Sequence, residues 1–413
     1  MTPKGRAQAA IEILQLWSLD RHPIERVLTR WGRSNRYAGS GDRHAIADIV
    51  YAVLRRARSL QILGGAGDPG GDLAAFEPRV AVLAHLAMQG EDAASIADGS
   101  RHAPGALSRA EAAALAGLPA DADGRLADEG RAARFDLPDH LAAPPHAVPE
   151  PVAAALTTRA PTYLRVNTLK ADTPLAIDVL GDDGIAAEPG PLSPTALVVT
   201  TGARRIAQSA AFRNGLVELQ DAASQASVDL AGPAPGMTVL DLCAGAGGKT
   251  LALGAQMHGK GRLIAHDIDP RRMAELPLRA DRAGLTVERL ATPDLPALQG
   301  RVDLVFVDAP CSGSGSWRRD PVGKWHLGPK RLAELCRVQD DVLDQALRLV
   351  APSGRVVFAT CSFLAAEGPL RLEALADRSP RLIDAVTSAA RFSNMPAKDG
   401  ADGFFAARMD MFG

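Results

Sequence analysis

Two of the four cysteines in the chain end hydrophobic runs. "VDLVFVDAPCSG" carries Cys311 and "GRVVFATCSF" carries Cys361, and a serine follows each. A thiolate is a strong nucleophile once its pKa is lowered locally. Two thiols beside an acid, Asp308, and a methyl donor suit one reaction. Carbon 5 of cytosine is not nucleophilic. Sulfur adding at carbon 6 turns the ring into an enamine, and carbon 5 can then take a methyl group. An acid at N3 favours the addition, a role suited to Asp308. A base must remove the carbon 5 proton before the sulfur leaves. Buried, inert cysteine is the ordinary fate of the residue, and Cys336, inside a helical run, reads that way.

The methyl donor has a candidate site in "VLDLCAGAGGKT", a strand running through glycines into a helix. Gly245, Gly247 and Gly248 let a ligand approach the backbone, and the helix N-terminus offers free N–H groups. A phosphate-binding P-loop would need glycine where Cys243 stands, and a dinucleotide loop would need glycine where Thr250 stands. A nucleoside without phosphates remains, chiefly S-adenosylmethionine. Asp241 suits its cationic amino-acid part, and Asp267 in "LIAHDIDP" falls where ribose hydroxyls are taken in such folds.

These residues need a scaffold that brings strand ends to one edge. From residue 236 the runs "MTVLDLC", "GRLIAHD", "VDLVFVDAP" and "GRVVFAT" alternate with helix-like stretches. That pattern predicts a mostly parallel, doubly wound α/β sheet covered on both faces. The third and fourth of these runs, as the fourth and fifth strands of the sheet, should be neighbours. Cys311 and Cys361 then share the edge that carries the glycine loop.

The rest of the chain divides by texture. Residues 1–135 place apolar residues at helical spacing and predict an all-α domain. Five prolines between Leu137 and Pro151 mark 136–159 as a linker. Strand-like "PTYLRVNTLK" and "TALVVTTG" around a helical stretch predict a small α/β subdomain over 160–220, and 221–413 is the large α/β domain. At 413 residues and 46% hydrophobic, the chain can build two or three cores. A net charge of −2 excludes a wholly basic nucleic-acid binder but not a basic face. Residues 1–60 hold eleven Lys/Arg against five Asp/Glu, and residues 61–150 hold six against fourteen, which suggests such a face. The scattered cysteines fit neither a zinc site nor a disulfide framework. With no long apolar stretch at the N-terminus, a cytoplasmic protein without metal or membrane partner is expected, as a monomer.

At this point the residues resemble the Nol/Nop/Sun family of RNA cytosine-5 methyltransferases. "SGDRHAIADIVYAVLRR" is similar to its NusB-like RNA-binding domain. "YLRVNTLKAD" and "ELQDAASQ" resemble the segment before the catalytic domain. "DLCAGAGGKT", "HDIDPRRM", "DAPCSGSGSWRRDPVGKW" and "ATCSF" match successive catalytic motifs, and "DGADGFFAARM" the closing strand. The resemblance implies a Rossmann-like class I methyltransferase domain using S-adenosylmethionine and acting on RNA, small-subunit (16S) ribosomal RNA above all. It implies that Cys361 attacks carbon 6 and Cys311 assists product release. It makes Cys243, Ala244, Gly245, Ala246, Gly247, Gly248 and Lys249 the cofactor loop, with Asp267 on the ribose and Asp308 in the active site. Three positions depart from the family. Gly245 and Ala246 replace its Ala-Pro, and Ala291 stands where an adenine-side acid is usual, with Asp294 as a substitute nearby.

After Cys311, "GSGSWRRDPVGKWHLGPKR" collects five cations against one acid, with two tryptophans. Cations hold phosphates and aromatics stack on splayed bases, so Arg318, Arg319, Lys324 and Trp325 are candidate RNA contacts. The competing reading is a charged loop packed by its tryptophans. Two other functions stay open: an RNA-binding assembly factor with an inactive methyltransferase domain, and a nicotinamide-dependent oxidoreductase, the latter disfavoured by the broken glycine pattern.

Overall fold

The computed structural model describes residues 1–20 and 22–411. It divides into two compact units: Met1–Arg159 with Trp317–Pro329, and Ala160–Ser316 with Lys330–Gly413.

The first unit is helical. Helices Pro3–Asp20, Ile24–Ser34, Ser40–Arg55 and Pro78–Met88 bury residues at spacings of three and four. Ala7, Ile11, Leu14 and Trp17 thereby share one core with Ile46, Val50, Val53, Leu83 and Ala84. The stretch 136–159, expected as a linker, is packed instead. It folds into helices Asp139–Ala142 and Glu150–Leu156, and it buries Leu137, Leu141, Val148, Val152 and Leu156. Its prolines start helices: Pro138 and Pro149 are N-caps, and Pro151 lies in the first turn. No intrahelical partner is lost there, so proline is tolerated. Buried Asp136 accepts hydrogen bonds from the Arg58 and Ser59 amides, both 2.9 Å, and from Ser59 Oγ. The carboxylate thus caps the start of helix Ala57–Leu63.

The segment Trp317–Pro329 belongs to this helical unit, and this corrects an expectation. Arg318, Lys324 and Trp325 were candidate RNA contacts, yet all three are buried in the unit, as is Trp317. Of the four proposed contacts, only Arg319 is exposed. The cause is the C-terminal end of helix Ser40–Arg55, whose last carbonyls lack helical partners. Trp325 Nε1 donates to Leu54 O at 3.1 Å and Lys324 Nζ to Arg55 O at 2.8 Å. Arg55 Nε returns a bond to Arg318 O at 2.7 Å. A cation at a helix C-terminus also meets the favourable end of its dipole. Burial pulls the Lys324 ammonium down to about 8, with Asp136 opposing that shift. Val322 and Trp325 complete the apolar core.

The second unit holds two sheets. The smaller is antiparallel, in the order β2-β3-β1-β4, from β1 (Thr162–Val166), β2 (Ala186–Pro189), β3 (Ala196–Thr201) and β4 (Val217–Leu219). It is fastened to the larger domain: Glu218 accepts from Arg279 and Arg282, and Asn167 donates to Ala283 O.

The larger sheet contains β5 (Thr238–Asp241), β6 (Arg262–Ala265), β7 (Glu288–Arg289), β8 (Val302–Asp308), β9 (Val350–Thr360), β10 (Ala390–Asn394) and β11 (Phe404–Asp410). Their order is β10-β11-β9-β8-β5-β6-β7. Pairing is parallel from β7 to β9 and antiparallel for β10 and β11. The four runs read from the sequence are β5, β6, β8 and β9. Alternate residues feed two cores, as a sheet covered on both faces requires. Val305, Val307, Val356 and Phe358 face one core, and Leu304, Phe306, Val357 and Ala359 the other. Strand order reverses between β5 and β8, which opens a crevice at their carboxyl ends.

Candidate active site

That crevice collects the residues the motifs singled out. β8 and β9 pair in parallel, with Asp308 opposite Ala359. The loops that leave them therefore start side by side, and the Cys311 and Cys361 sulfurs lie 3.3 Å apart. Two thiols at this distance cannot both ionise cheaply. Cys361 is held below its ordinary value, chiefly by a hydrogen bond from Cys311, with Lys249 helping and burial opposing. Cys311 is pushed well above its ordinary value by that same bond, then by burial and by the charges of Cys361 and Glu367. One thiolate, on Cys361, with one proton, on Cys311, is the arrangement these shifts describe.

Asp308 ends β8 and takes Lys249 Nζ at 2.7 Å. Lys249 also lies 5.2 Å from the ring centre of Phe404 on β11. The cation reaches the crevice because helix Gly248–Gln256 starts at the end of β5. The turn before that helix depends on Gly247, at φ 84°. A Cβ there would stand 2.2 Å from Leu276 Cδ1. Gly245, which departs from the family's alanine, also has positive φ, at 51°. Its N–H donates to Asp267 Oδ2 at 2.9 Å.

Asp241 is wholly buried at the end of β5. One carboxylate oxygen accepts Thr250 Oγ1 at 2.6 Å, while among the described residues Oδ1 has no hydrogen-bond partner. Burial pushes its carboxyl up to about 7, and the neighbouring Asp308 adds to this. An orphaned buried acceptor beside a glycine turn fits a cationic group of a ligand. Burial, with the acids Asp241, Asp308 and Asp267, pushes the Cys243 thiol up, so it is not a nucleophile. Asp267, at the end of the next strand, already holds Gly245 N, Asp269 N and Arg272, the last at 3.1 Å. Asp294 lies in the exposed turn Thr292–Leu298, after Ala291. Among the described residues no cluster of His, Cys, Asp and Glu could hold a metal ion, and no helix is long and apolar enough to cross a membrane.

The structure therefore brings together Cys311, Cys361, Asp308, the loop from Cys243 to Lys249, and Asp267, all in one unit. Arg318, Lys324 and Trp325 are buried and belong to the other unit. Sequence reasoning missed Glu367. Its fully buried carboxylate accepts from Ser312 and Ser362, the serines that follow the two cysteines. The repeated Cys-Ser was the available signal.

The chain is similar to known proteins in sequence and in fold. Residues 229–410 match the family model described as 16S rRNA methyltransferase RsmB/F. Residues 143–204 match the ferredoxin-like domain model of the same group. Ribosomal RNA small subunit methyltransferase B of Yersinia pseudotuberculosis serotype O:1b (strain IP 31758) is 33% identical over 258 residues, 61% of this chain and 60% of that protein. The match thus spans less than two thirds of this relative's length. Among solved structures, "Crystal Structure of PH0851" aligns over 99% of both chains with a TM-score of 0.67 and 22% identity. "The crystal structure of NSun6 from Pyrococcus horikoshii with SFG" aligns over 61% of this chain and 91% of that one, with a TM-score of 0.52 and 18% identity. The two matches follow one another along the chain, and over residues 143–204 and 229–410 it is similar to the ferredoxin-like and methyltransferase domains described for RsmB/F proteins.

Proposed function

We propose that this protein is an S-adenosylmethionine-dependent RNA cytosine-5 methyltransferase whose substrate is a cytidine of small-subunit ribosomal RNA. The observation that carries the reading is the pair of thiols 3.3 Å apart, one lowered and one raised in pKa, beside the Asp308–Lys249 pair. The RsmB/F family match supports the ribosomal substrate.

When bound, S-adenosylmethionine supplies an electrophilic methyl group. Asp241 Oδ1 fits its ammonium, the turn from Cys243 to Gly248 fits its backbone-hugging nucleoside, and Asp267 fits its ribose hydroxyls once Arg272 gives way. Asp308 interacts with N3 of the cytosine and is held for that task by Lys249. The Cys361 thiolate adds to carbon 6, forming the C–S bond and raising electron density at carbon 5, which then takes the methyl group. Sulfur bound to carbon is no longer an anion, so the chief cause of the raised Cys311 pKa disappears. Cys311 can then release its proton to solvent and, as thiolate, accept the one from carbon 5. The electron pair of that C–H bond restores the ring double bond and expels the Cys361 thiolate.

The test is a trapping assay with S-adenosylmethionine and unmodified small-subunit ribosomal RNA. Cys361→Ala should give neither methylation nor a denaturation-resistant protein–RNA adduct. Cys311→Ala should accumulate the adduct. Loss of the adduct in Cys311→Ala with its retention in Cys361→Ala would reverse the roles. Binding of this RNA without methyl transfer by the wild type would favour the assembly-factor reading instead.

A further inference from the structure

We propose that Glu367 is the positioning residue that holds the two cysteine loops at reacting distance, acting through the serine after each cysteine. The proposal rests on the methyl-transfer reading of the site.

Glu367 closes the short turn Ala365–Glu367, just beyond the Cys361 loop, and its side chain is fully buried. Oε1 accepts Ser312 N at 2.8 Å and Gln339 Nε2 at 3.1 Å. Oε2 accepts Ser312 Oγ and, at 2.7 Å, Ser362 Oγ. No cation pairs with it among the described residues, so four donors stabilise the buried charge. Charge-assisted bonds of this kind are about twice as strong as neutral ones. The donors are not spread over the fold. Ser312 N and Oγ follow Cys311, Ser362 Oγ follows Cys361, and Gln339 also donates to Pro310 O, just before Cys311, at 2.9 Å.

The lacing continues around this carboxylate. Ser314 Oγ meets Ser362 Oγ at 2.8 Å, and Gly315 N donates to Cys361 O at 3.0 Å. Thr360 Oγ1 donates back to Glu367 O at 2.9 Å. β8 and β9 fix only where the two loops begin, because ladder bonds end with the strands. Past the strand ends, the shared acceptor joins the Gly315 N–Cys361 O and Ser314–Ser362 bonds in holding the two backbones together. The Glu367 charge raises both thiols and so does not choose between them; its part is the geometry of the two loops.

The experiment reads geometry and chemistry separately. Phenylarsine oxide bridges two thiols only when they lie together, so its capture by Cys311 and Cys361, scored by mass spectrometry, needs no RNA. Glu367→Gln and the double variant Ser312→Ala/Ser362→Ala are compared with the wild type. Circular dichroism and S-adenosylmethionine binding serve as controls. The expected result is a folded protein with cofactor affinity within about twofold, kcat lower by about 100-fold with KM little changed, and lost arsenical capture. Wild-type capture and kcat in folded Glu367→Gln would overturn the proposal, as would a loss confined to KM. Unfolding of both variants would overturn it too, since Glu367 would then serve stability alone. If the wild type methylates no RNA yet captures the arsenical, and the variants do not, the positioning role stands and the methyl-transfer reading falls.

Discussion

The Cys311 loop and the Trp317–Pro329 segment are consecutive stretches of chain, each dense in groups able to do chemistry, and the fold uses them in opposite ways. The first leaves its thiol half-buried beside another reactive group, with its polar neighbours tied to one carboxylate. The second sends Lys324 and Trp325 into a helical core to satisfy the carbonyls at the end of helix Ser40–Arg55. Polar side chains serve chemistry where the surrounding bonds fix their backbone and leave the reactive atom free. They serve structure where the reactive atom itself makes the bond.

The contrast breaks most severely at Lys249. Its ammonium holds Asp308 and helps lower the Cys361 pKa. Lys249→Met should reduce methyl transfer by about 1000-fold, the range lost when an acid–base group is removed. It should also move the alkaline shift of Cys361 alkylation to higher pH, because the neighbouring cation that favours the thiolate is gone. An unchanged alkylation profile would separate Lys249 from the thiol chemistry.

The mirror-image test lies in the buried segment. Trp325→Ala removes a buried indole and leaves Leu54 O without its donor. It should cost about 3 kcal/mol of stability, seen as an earlier denaturant midpoint. An unchanged midpoint would mean that this segment does not hold the helical unit.

The parts of the molecule that were legible in the sequence were those where pattern and position coincide. The runs of β5, β6, β8 and β9 are apolar on both faces, so their order and the adjacency of Cys311 and Cys361 follow from the rules of parallel sheets. The use made of Arg318, Lys324 and Trp325 was not legible. A cation near tryptophan reads alike on a surface and at the end of a buried helix, and the deciding partner, the end of helix Ser40–Arg55, lies far away in sequence. The packing of 136–159 was hidden because prolines that start helices look like prolines that break them. Glu367 was hidden because its donors are hydroxyls and a loop amide, which carry no periodicity.

A smaller effect concerns Asp241, a buried carboxyl that also sits at the catalytic edge. Its pKa near 7 means that it is largely protonated in the free protein below that pH. A cationic ligand prefers the carboxylate, so binding must expel the proton. Affinity for S-adenosylmethionine should therefore fall as pH drops below 7, by up to about tenfold per unit. Asp241→Asn should bind more weakly at pH 8 and lose this dependence. Isothermal titration at pH 6 and pH 8 reads both. A flat wild-type profile would remove Asp241 from the ligand's cationic end.

The smallest effect separates the two uses of positive charge most cleanly. Arg319 is exposed, whereas Lys324, five residues on, donates to a helix carbonyl inside the core. A cation that neutralises a phosphate releases condensed counterions, so its loss lowers the slope of log affinity against log salt by about one. Arg319→Ala should produce that change with a smaller loss of stability than Lys324→Met. Lys324→Met should do the reverse, because a buried ammonium has no counterions to release, while its loss leaves Arg55 O unsatisfied at a cost of about 1–3 kcal/mol. The slope is the informative quantity, since a destabilised variant can bind less RNA merely because less of it is folded. A lowered slope in Lys324→Met, measured where the variant is fully folded, would mean that this segment leaves the core to meet RNA, and the division of labour between the two stretches would have to be redrawn.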